Sequence, residues 1–96
     1  MNKPSVECND QCLTVKGALI FHTVMDVLMQ SKASFIQEAL TIDLAGVKKI
    51  DTSSLTLLCE WSRMAKAKSM TLNFINVPES LLHLAEVNNV KAILKL

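Results

Sequence analysis

The chain alternates between two kinds of segment, and this alternation constrains its fold more than any other feature. Three short segments place apolar and polar residues at alternate positions, which is typical of strands with one buried face. They are CLTVKGAL at 12–19, ALTIDLAGV at 39–47 and MTLNFINV at 70–77. Two longer segments between them carry apolar residues three and four positions apart, as amphipathic helices do. The sequence therefore predicts an α/β fold.

The strands also predict how the helices are arranged. In the middle strand, Leu40, Ile42 and Leu44 lie opposite Thr41 and Asp43. A sheet covered on both faces would contain nearly continuous apolar strands instead. Strands joined through the central helix should be parallel with a right-handed crossover, and the early segment VEC should pair with the first strand as a hairpin. We expect a mixed β-sheet of about four strands with helices packed on one face.

The helical segments have recognisable boundaries. In FHTVMDVLMQSKASF the predicted core-facing stripe consists of Phe21, Val24, Met25 and Leu28. The central helix is SSLTLLCEWSRMAKAK. Pro78 fits the first position of a third helix, since its missing N–H would be unpaired there in any case. The last segment, VKAILKL, fits a short helix or a strand.

Length and composition exclude several classes of protein. With 96 residues, half of them hydrophobic and a fifth charged, the chain is expected to be one packed domain, 1–96. A net charge of +1 and the lack of Tyr argue against nucleic-acid binding. No apolar run reaches the length of a membrane span, and the N-terminus lacks the apolar part of a signal peptide. We therefore expect a cytoplasmic protein without direct membrane insertion.

Residue patterns typical of enzymes do not occur. Gly17 and Gly46 each stand alone, so no phosphate-binding loop is present. His22 and His83 are not near a Ser or Cys in a nucleophile pattern, and we expect them at boundaries or on the surface. The sequence predicts no catalytic residue and no cofactor.

The three cysteines leave two interpretations open. Cys8 and Cys12 flank a predicted turn, where a disulfide or a metal site is one interpretation. The odd count favours reduced thiols instead, and a zinc site would need more ligands nearby. Cys59 is expected to be a small buried residue of the central helix. We expect no metal.

The junction Asp51-Thr52-Ser53-Ser54 is the best candidate for a functional site. Such residues cap helices because their side-chain oxygens accept hydrogen bonds from the first turn. The same hydroxyls would lie at the carboxyl-end rim of the sheet, where open α/β sheets place their sites. A phosphate on Thr52 would bind the free N–H groups and add about −2 charge beside Asp51. The sequence leaves both roles open for this junction: a helix cap and a contact with a partner.

The central helix carries an unusually wide apolar arc. Beside the stripe suited to the sheet, a second stripe is formed by Leu57, Trp61 and Met64. One interpretation is that neighbouring helices cover this stripe. The other is an exposed apolar surface for a partner, since Trp and Met are enriched at interfaces. It would begin one turn beyond Thr52, so both features would then belong to one surface.

The chain resembles the STAS domains, named for sulfate transporters and anti-sigma factor antagonists. The resemblance covers nearly the whole chain and rests most on LTIDLAGVKKIDTSSLTLL, in which a strand leads to an Asp-hydroxyl-small-small-Leu junction. It continues through MTLNFINV and LLHLAEVNNV. The resemblance implies a mixed sheet with helices on one face, the fold that the alternation predicts independently.

Two branches of that family differ at the junction. In anti-sigma factor antagonists the junction usually reads Asp-Ser-Ser/Thr-Gly, and the position of the phosphorylated hydroxyl is Thr52 here. Ser54 stands where that branch has Gly, and Thr56 where a second Gly is common. The small STAS subunit of the Mla (maintenance of lipid asymmetry) ABC transporter typically has Asp-Thr-small-small-Leu before a Leu-rich helix. DTSSLTLLCEW is closer to that pattern, although Ser53 and Ser54 replace glycines often found there.

The second branch implies a non-enzymatic role. Its subunit docks from the cytoplasm on the transporter's ATPase subunit, peripheral to the inner membrane. It supports assembly and activity in phospholipid transport between the membranes of a Gram-negative bacterium. The expected partner-binding residues are Thr52, Ser53, Ser54, Leu57, Trp61 and Met64. The alternative is an anti-sigma factor antagonist controlled by phosphorylation at Thr52, with an anti-sigma factor kinase as partner.

Overall fold

The structure is a computed structural model that describes residues 4–36 and 38–96. Its strands are β1 (Ser5–Asn9), β2 (Cys12–Leu19), β3 (Ala39–Ile50) and β4 (Thr71–Ile75). Its α-helices are α1 (Val24–Ser31), α2 (Thr52–Ala67), α3 (Glu79–Val87) and α4 (Lys91–Leu94), and a 3-10 turn at Lys32–Ser34 extends α1.

The strands form one mixed sheet in the order β1-β2-β3-β4. β1 and β2 are an antiparallel hairpin, in which Asp10 adopts the positive φ that a tight turn requires. β2, β3 and β4 run parallel. The α/β prediction of a mixed four-stranded sheet is confirmed, including the hairpin.

The helices pack against one face of this sheet. In β2 and β3, alternate residues are fully buried, whereas Lys16 is exposed and Asp43 half-buried on the opposite face. The core combines these strand residues with residues from all four helices: Leu13, Val15, Leu40, Ile42, Leu44, Val27, Leu58, Trp61, Leu81, Ala85 and Leu94. Alternation in the sequence predicted this one-sided burial because strand side chains point to opposite faces in turn.

The first helix differs from its prediction. α1 begins at Val24, and Phe21 and Met25 are exposed. The stripe that faces the core is Val24, Val27, Leu28 and Ser31. The predicted stripe and the observed one have the same spacing of three and four residues. Residues 20–23 are kept out of the helix by hydrogen bonds from the Phe21 N–H to the Asp51 carboxylate and from the Thr23 hydroxyl to the Ala18 carbonyl.

The end of the chain differs in smaller details. Pro78 is the residue before the first turn of α3, one position earlier than predicted. The final segment forms the single-turn helix α4. Among the described residues, no helix has the length and apolar character needed to cross a membrane.

Asp43 of β3 is hydrogen-bonded to Asn76, the residue directly after β4. Its carboxylate accepts hydrogen bonds from the Ala45 N–H at 2.9 Å and from the Asn76 side-chain amide at 3.1 Å. The Ala45 N–H, with a smaller effect of Asn76, holds the pKa of the Asp43 carboxyl below its usual value.

This hydrogen bonding predicts a small acid sensitivity. A carboxyl whose pKa is lower in the folded state stabilises the fold above its unfolded pKa, and the effect disappears as pH falls through the folded pKa. We expect the free energy of unfolding to fall on acidification below about pH 4, and less steeply in Asp43→Asn. Urea titrations of both proteins across this range measure the difference. Identical slopes would exclude the contribution of Asp43.

Candidate functional site

Asp51 is the residue that begins α2. Its backbone is extended, and its carboxylate Oδ1 accepts a hydrogen bond from the Ser53 N–H at 2.8 Å. In return, the Ser54 hydroxyl accepts from the Asp51 N–H at 3.2 Å. This reciprocal capping box satisfies N–H groups that a helix start otherwise leaves unpaired. The cap is therefore Asp51 with Ser54, and Thr52 is the first residue of the helix proper.

The same two side chains also bind the loop that precedes α1. The other carboxylate oxygen of Asp51 accepts from the Phe21 N–H at 2.9 Å, and the Ser54 hydroxyl donates to the Leu19 carbonyl. Thr23 anchors the loop from its other side, donating to the Ala18 carbonyl at 2.6 Å. These contacts keep residues 20–23 out of α1 and hold the loop against the start of α2.

Thr52 is exposed at this rim. Within the part of the chain that the structure describes, its hydroxyl makes no hydrogen bond, and Ser53 beside it is half-buried. The helix N-terminus contributes partial positive charge at this point. A threonine that neither caps the helix nor fills the core leaves its hydroxyl available to an outside group.

This division of roles predicts which substitutions affect stability. We expect Asp51→Ala to lower the free energy of unfolding by about 1–2 kcal/mol, because the cap and the Phe21 contact are both lost. Thr52→Ala is expected to change it by less than about 0.5 kcal/mol. Chemical denaturation of the two variants provides the comparison. A larger loss for Thr52→Ala would mean that Thr52 is the structural residue.

The prediction that Leu57 and Trp61 form the apolar part of the partner surface is wrong. Their side chains are 3% and 0% exposed, respectively. The Trp61 indole donates to the Ser31 hydroxyl at 2.7 Å, and its ring centroid lies 6.4 Å from that of Phe74. α1 therefore covers the second stripe of α2, which explains why the apolar arc is wide.

Two further residues of the predicted surface are less accessible than Thr52. Ser54 is fully buried, with its hydroxyl between Asp51 and Leu19. Met64 is half-buried and packs against the core. Of the six predicted partner-binding residues, Thr52 alone is exposed, and Ser53 and Met64 are partly accessible.

Exposed apolar residues occur instead on the outer side of α1 and in the loop before it. Phe21, Met25 and Met29, here called the α1 patch, are 74%, 68% and 59% exposed. The Phe21 N–H is bonded to Asp51, the neighbour of Thr52, so the patch begins at the same rim. The predicted stripe placed Phe21 and Met25 in the core, so this surface was not expected. The overlapping stripe that includes Val27 and Ser31 is the signal that would have located it.

The cysteines and histidines do not form a site. In the hairpin, Cys8 pairs with Leu13 and Cys12 pairs with Asn9, so the two thiols lie on opposite faces of the sheet. That geometry favours the interpretation as reduced thiols over a disulfide, and Cys59 is half-buried against the core. His22 and His83 are exposed as predicted. Across residues 4–36 and 38–96, no cluster of potential metal ligands is found.

Comparisons with known proteins agree with the fold. Among the similar solved structures are the anti-sigma factor antagonist SpoIIAA in its unphosphorylated form and an anti-sigma factor antagonist from Mycobacterium paratuberculosis. The first is 13% identical with a TM-score of 0.67, and the alignment covers 86% of this chain and 81% of that one. The second is 17% identical with a TM-score of 0.72, covering 94% and 80%. A search of curated proteins found no match.

The family model described as "Mlab, STAS domain" matches residues 5–95. The match spans the sheet, the four helices and the Asp51–Ser54 junction. The structural similarities above are too low in sequence identity to show more than the fold, but they show the same fold. The chain therefore belongs to the STAS domain family.

Proposed function

We propose that this protein is a non-enzymatic cytoplasmic subunit that binds the ATPase subunit of an Mla-type ABC transporter. In that role it supports assembly and activity of a transporter that moves phospholipid between the membranes of a Gram-negative bacterium. The protein reaches the inner membrane only through the complex. The description of the matching family model and the junction sequence DTSSLTLLCEW both support this proposal.

A binding role is supported above all by the unbonded hydroxyl of Thr52. Asp51 and Ser54 perform the capping, so the Thr52 hydroxyl has no structural partner among the described residues. A protein surface that presents a hydroxyl at a positively polarised helix start suits a contact with a carbonyl or carboxylate oxygen of another chain. Thr52 is the proposed centre of the contact, and Ser53 lies at its edge.

The α1 patch is the proposed apolar part of the same contact. It replaces Leu57 and Trp61, whose burial removes them from any surface. Phe and Met side chains contribute large apolar areas at interface cores. Because Asp51 bonds the Phe21 N–H at 2.9 Å, the loop that carries Phe21 is fixed relative to Thr52. A preorganised contact of this kind loses less conformational entropy when the partner binds.

The second candidate function is an anti-sigma factor antagonist controlled by phosphorylation at Thr52. This candidate is considered because two such antagonists share the fold and because the Thr52 side chain is exposed. Ser54 weighs against it: this residue occupies the position of a glycine in that branch, and its buried hydroxyl is bonded to both Asp51 and Leu19.

Co-purification from native membranes separates the two candidates. We expect the tagged chain to retain an ABC ATPase subunit, and Thr52→Ala to retain less of it than Thr56→Ala. Thr56 is the matched control because it is an exposed threonine of the same helix. Recovery of a serine/threonine kinase-type anti-sigma factor without any ATPase would support the second candidate instead.

Intact-mass measurement tests the phosphorylation directly. The second candidate requires a phosphate on Thr52 under at least one growth condition, and the first does not. Persistent absence of the added mass from protein isolated across growth conditions would exclude the phosphoswitch.

A further inference from the structure

A groove lies between α2, the edge strand β4 and α4, well away from Thr52. Its cavity volume is about 660 Å³, within the size range of ligand sites. Met70, Leu72, Phe74 and Leu94 contribute apolar side chains to its lining, and Ile93 lines it while 73% exposed. β4 is the last strand of the sheet, so within the described residues no further strand covers this side.

The charged side chains that line the groove are all basic. Its lining includes Arg63, Lys66 and Lys95 and contains no carboxylate. Arg63 is already paired, since its guanidinium lies 2.9 Å from a carboxylate oxygen of the half-buried Glu60. In the part of the chain that the structure describes, the side-chain ammonium groups of Lys66 and Lys95 have no hydrogen-bond or ion-pair partner. An apolar floor beside two unpaired ammonium groups is complementary to a molecule with an apolar chain and a single anionic end.

We propose that this groove binds one long-chain fatty-acid anion, with its chain along the apolar lining and its carboxylate at Lys66 and Lys95. Lysine ammonium groups are compact point charges suited to a single carboxylate. The groove's guanidinium, the group suited to bidentate recognition of a carboxylate or phosphate, is occupied by Glu60, which leaves the two lysines to bind the anionic end. The site is independent of the proposed transporter contact, because it lies along the C-terminal half of α2 whereas Thr52 begins that helix.

The experiment is a ¹H–¹⁵N NMR titration of the whole chain with sodium decanoate below its micelle-forming concentration. We expect saturable shifts concentrated at the groove, above all at Met70, Leu72 and Ile93. Reversing both lysines (Lys66→Glu with Lys95→Glu) should weaken decanoate binding about tenfold or more, because attraction becomes repulsion. Lys32→Glu with Lys48→Glu is the matched control, since both residues are exposed lysines outside the groove. This control should bind decanoate like the unaltered chain.

Two further measurements test the position of the site and the class of its ligand. Ile93→Asp introduces a negative charge at an exposed position and so leaves the core intact, and it should also weaken decanoate binding about tenfold. Decanol, which lacks the charge, should bind more weakly than decanoate. Shifts centred on the α1 patch, or affinity that survives the lysine reversal, would overturn the site. Tighter binding of decyl phosphate than of decanoate would overturn the fatty-acid assignment. No ATPase is present in these measurements, so their outcome is separate from that of the proposed function.

Discussion

Replacing Trp61 by alanine is expected to lower the free energy of unfolding by about 3–5 kcal/mol. The indole is fully buried at the centre of the core, between α1 and β4. Its removal creates a large cavity and also leaves the Ser31 hydroxyl without its donor. Because small domains are stable by only about 5–15 kcal/mol, this loss is a large fraction of the total free energy of unfolding. Urea denaturation followed by circular dichroism measures the loss.

The control for Trp61→Ala is an aromatic side chain at an exposed position. Phe21→Ala is expected to change the free energy of unfolding by less than about 0.5 kcal/mol, since Phe21 is 74% exposed. A Trp61→Ala protein that folds normally and loses only partner binding would contradict the burial of Trp61 and restore it to the contact surface.

The hydrogen bond of the indole is separable from its volume. Ser31→Ala leaves the buried Trp61 N–H without an acceptor, which typically costs about 1–3 kcal/mol. Combining Ser31→Ala with Trp61→Phe should cost less than the sum of the single changes, because both remove one interaction. Strict additivity would indicate that the two side chains act independently.

The second large effect concerns the α1 patch. Phe21→Asp with Met25→Asp is expected to weaken binding of the ATPase subunit by more than about 2 kcal/mol, about thirtyfold, while the free energy of unfolding stays nearly unchanged. The reason is that both side chains are exposed on the monomer, and a carboxylate in a desolvated contact is strongly unfavourable. Titration calorimetry with the purified ATPase subunit measures the affinity.

A matched control separates the patch from exposed apolar residues in general. Val87→Asp changes an exposed apolar residue of α3, 64% accessible, outside the α1 patch. It should leave the affinity for the ATPase subunit intact. If Val87→Asp weakens binding as much as the double substitution, the contact does not lie at the α1 patch.

The sheet was predictable from sequence because the alternation of apolar and polar residues in a strand identifies its buried face. Leu40, Ile42 and Leu44 alternate with polar residues, and a shift of one position would expose all three. The junction was located for a similar local reason, since a run of Asp, Thr and Ser at the start of an apolar helix is a capping signal. These features depend on a few neighbouring residues and do not require knowledge of the rest of the fold.

The surfaces of the helices were not predictable in the same way. The stripe through Phe21 and the stripe through Val27 have the same spacing, so local pattern does not choose between them. The choice is made by the Phe21 N–H bond to Asp51, thirty positions later in the chain. The burial of Trp61 likewise depends on Ser31 of another helix. Contacts between distant segments decided which residues of the candidate site are exposed.

The affinity of the purified chain for the transporter ATPase subunit, compared between Thr52→Ala and Thr56→Ala, tests most directly whether Thr52 is a contact residue. Both variants are expected to fold with nearly unchanged stability, because neither hydroxyl caps α2. Thr52→Ala should weaken binding roughly fivefold or more, and Thr56→Ala should not. Equal affinity of the two folded variants would contradict a contact at Thr52.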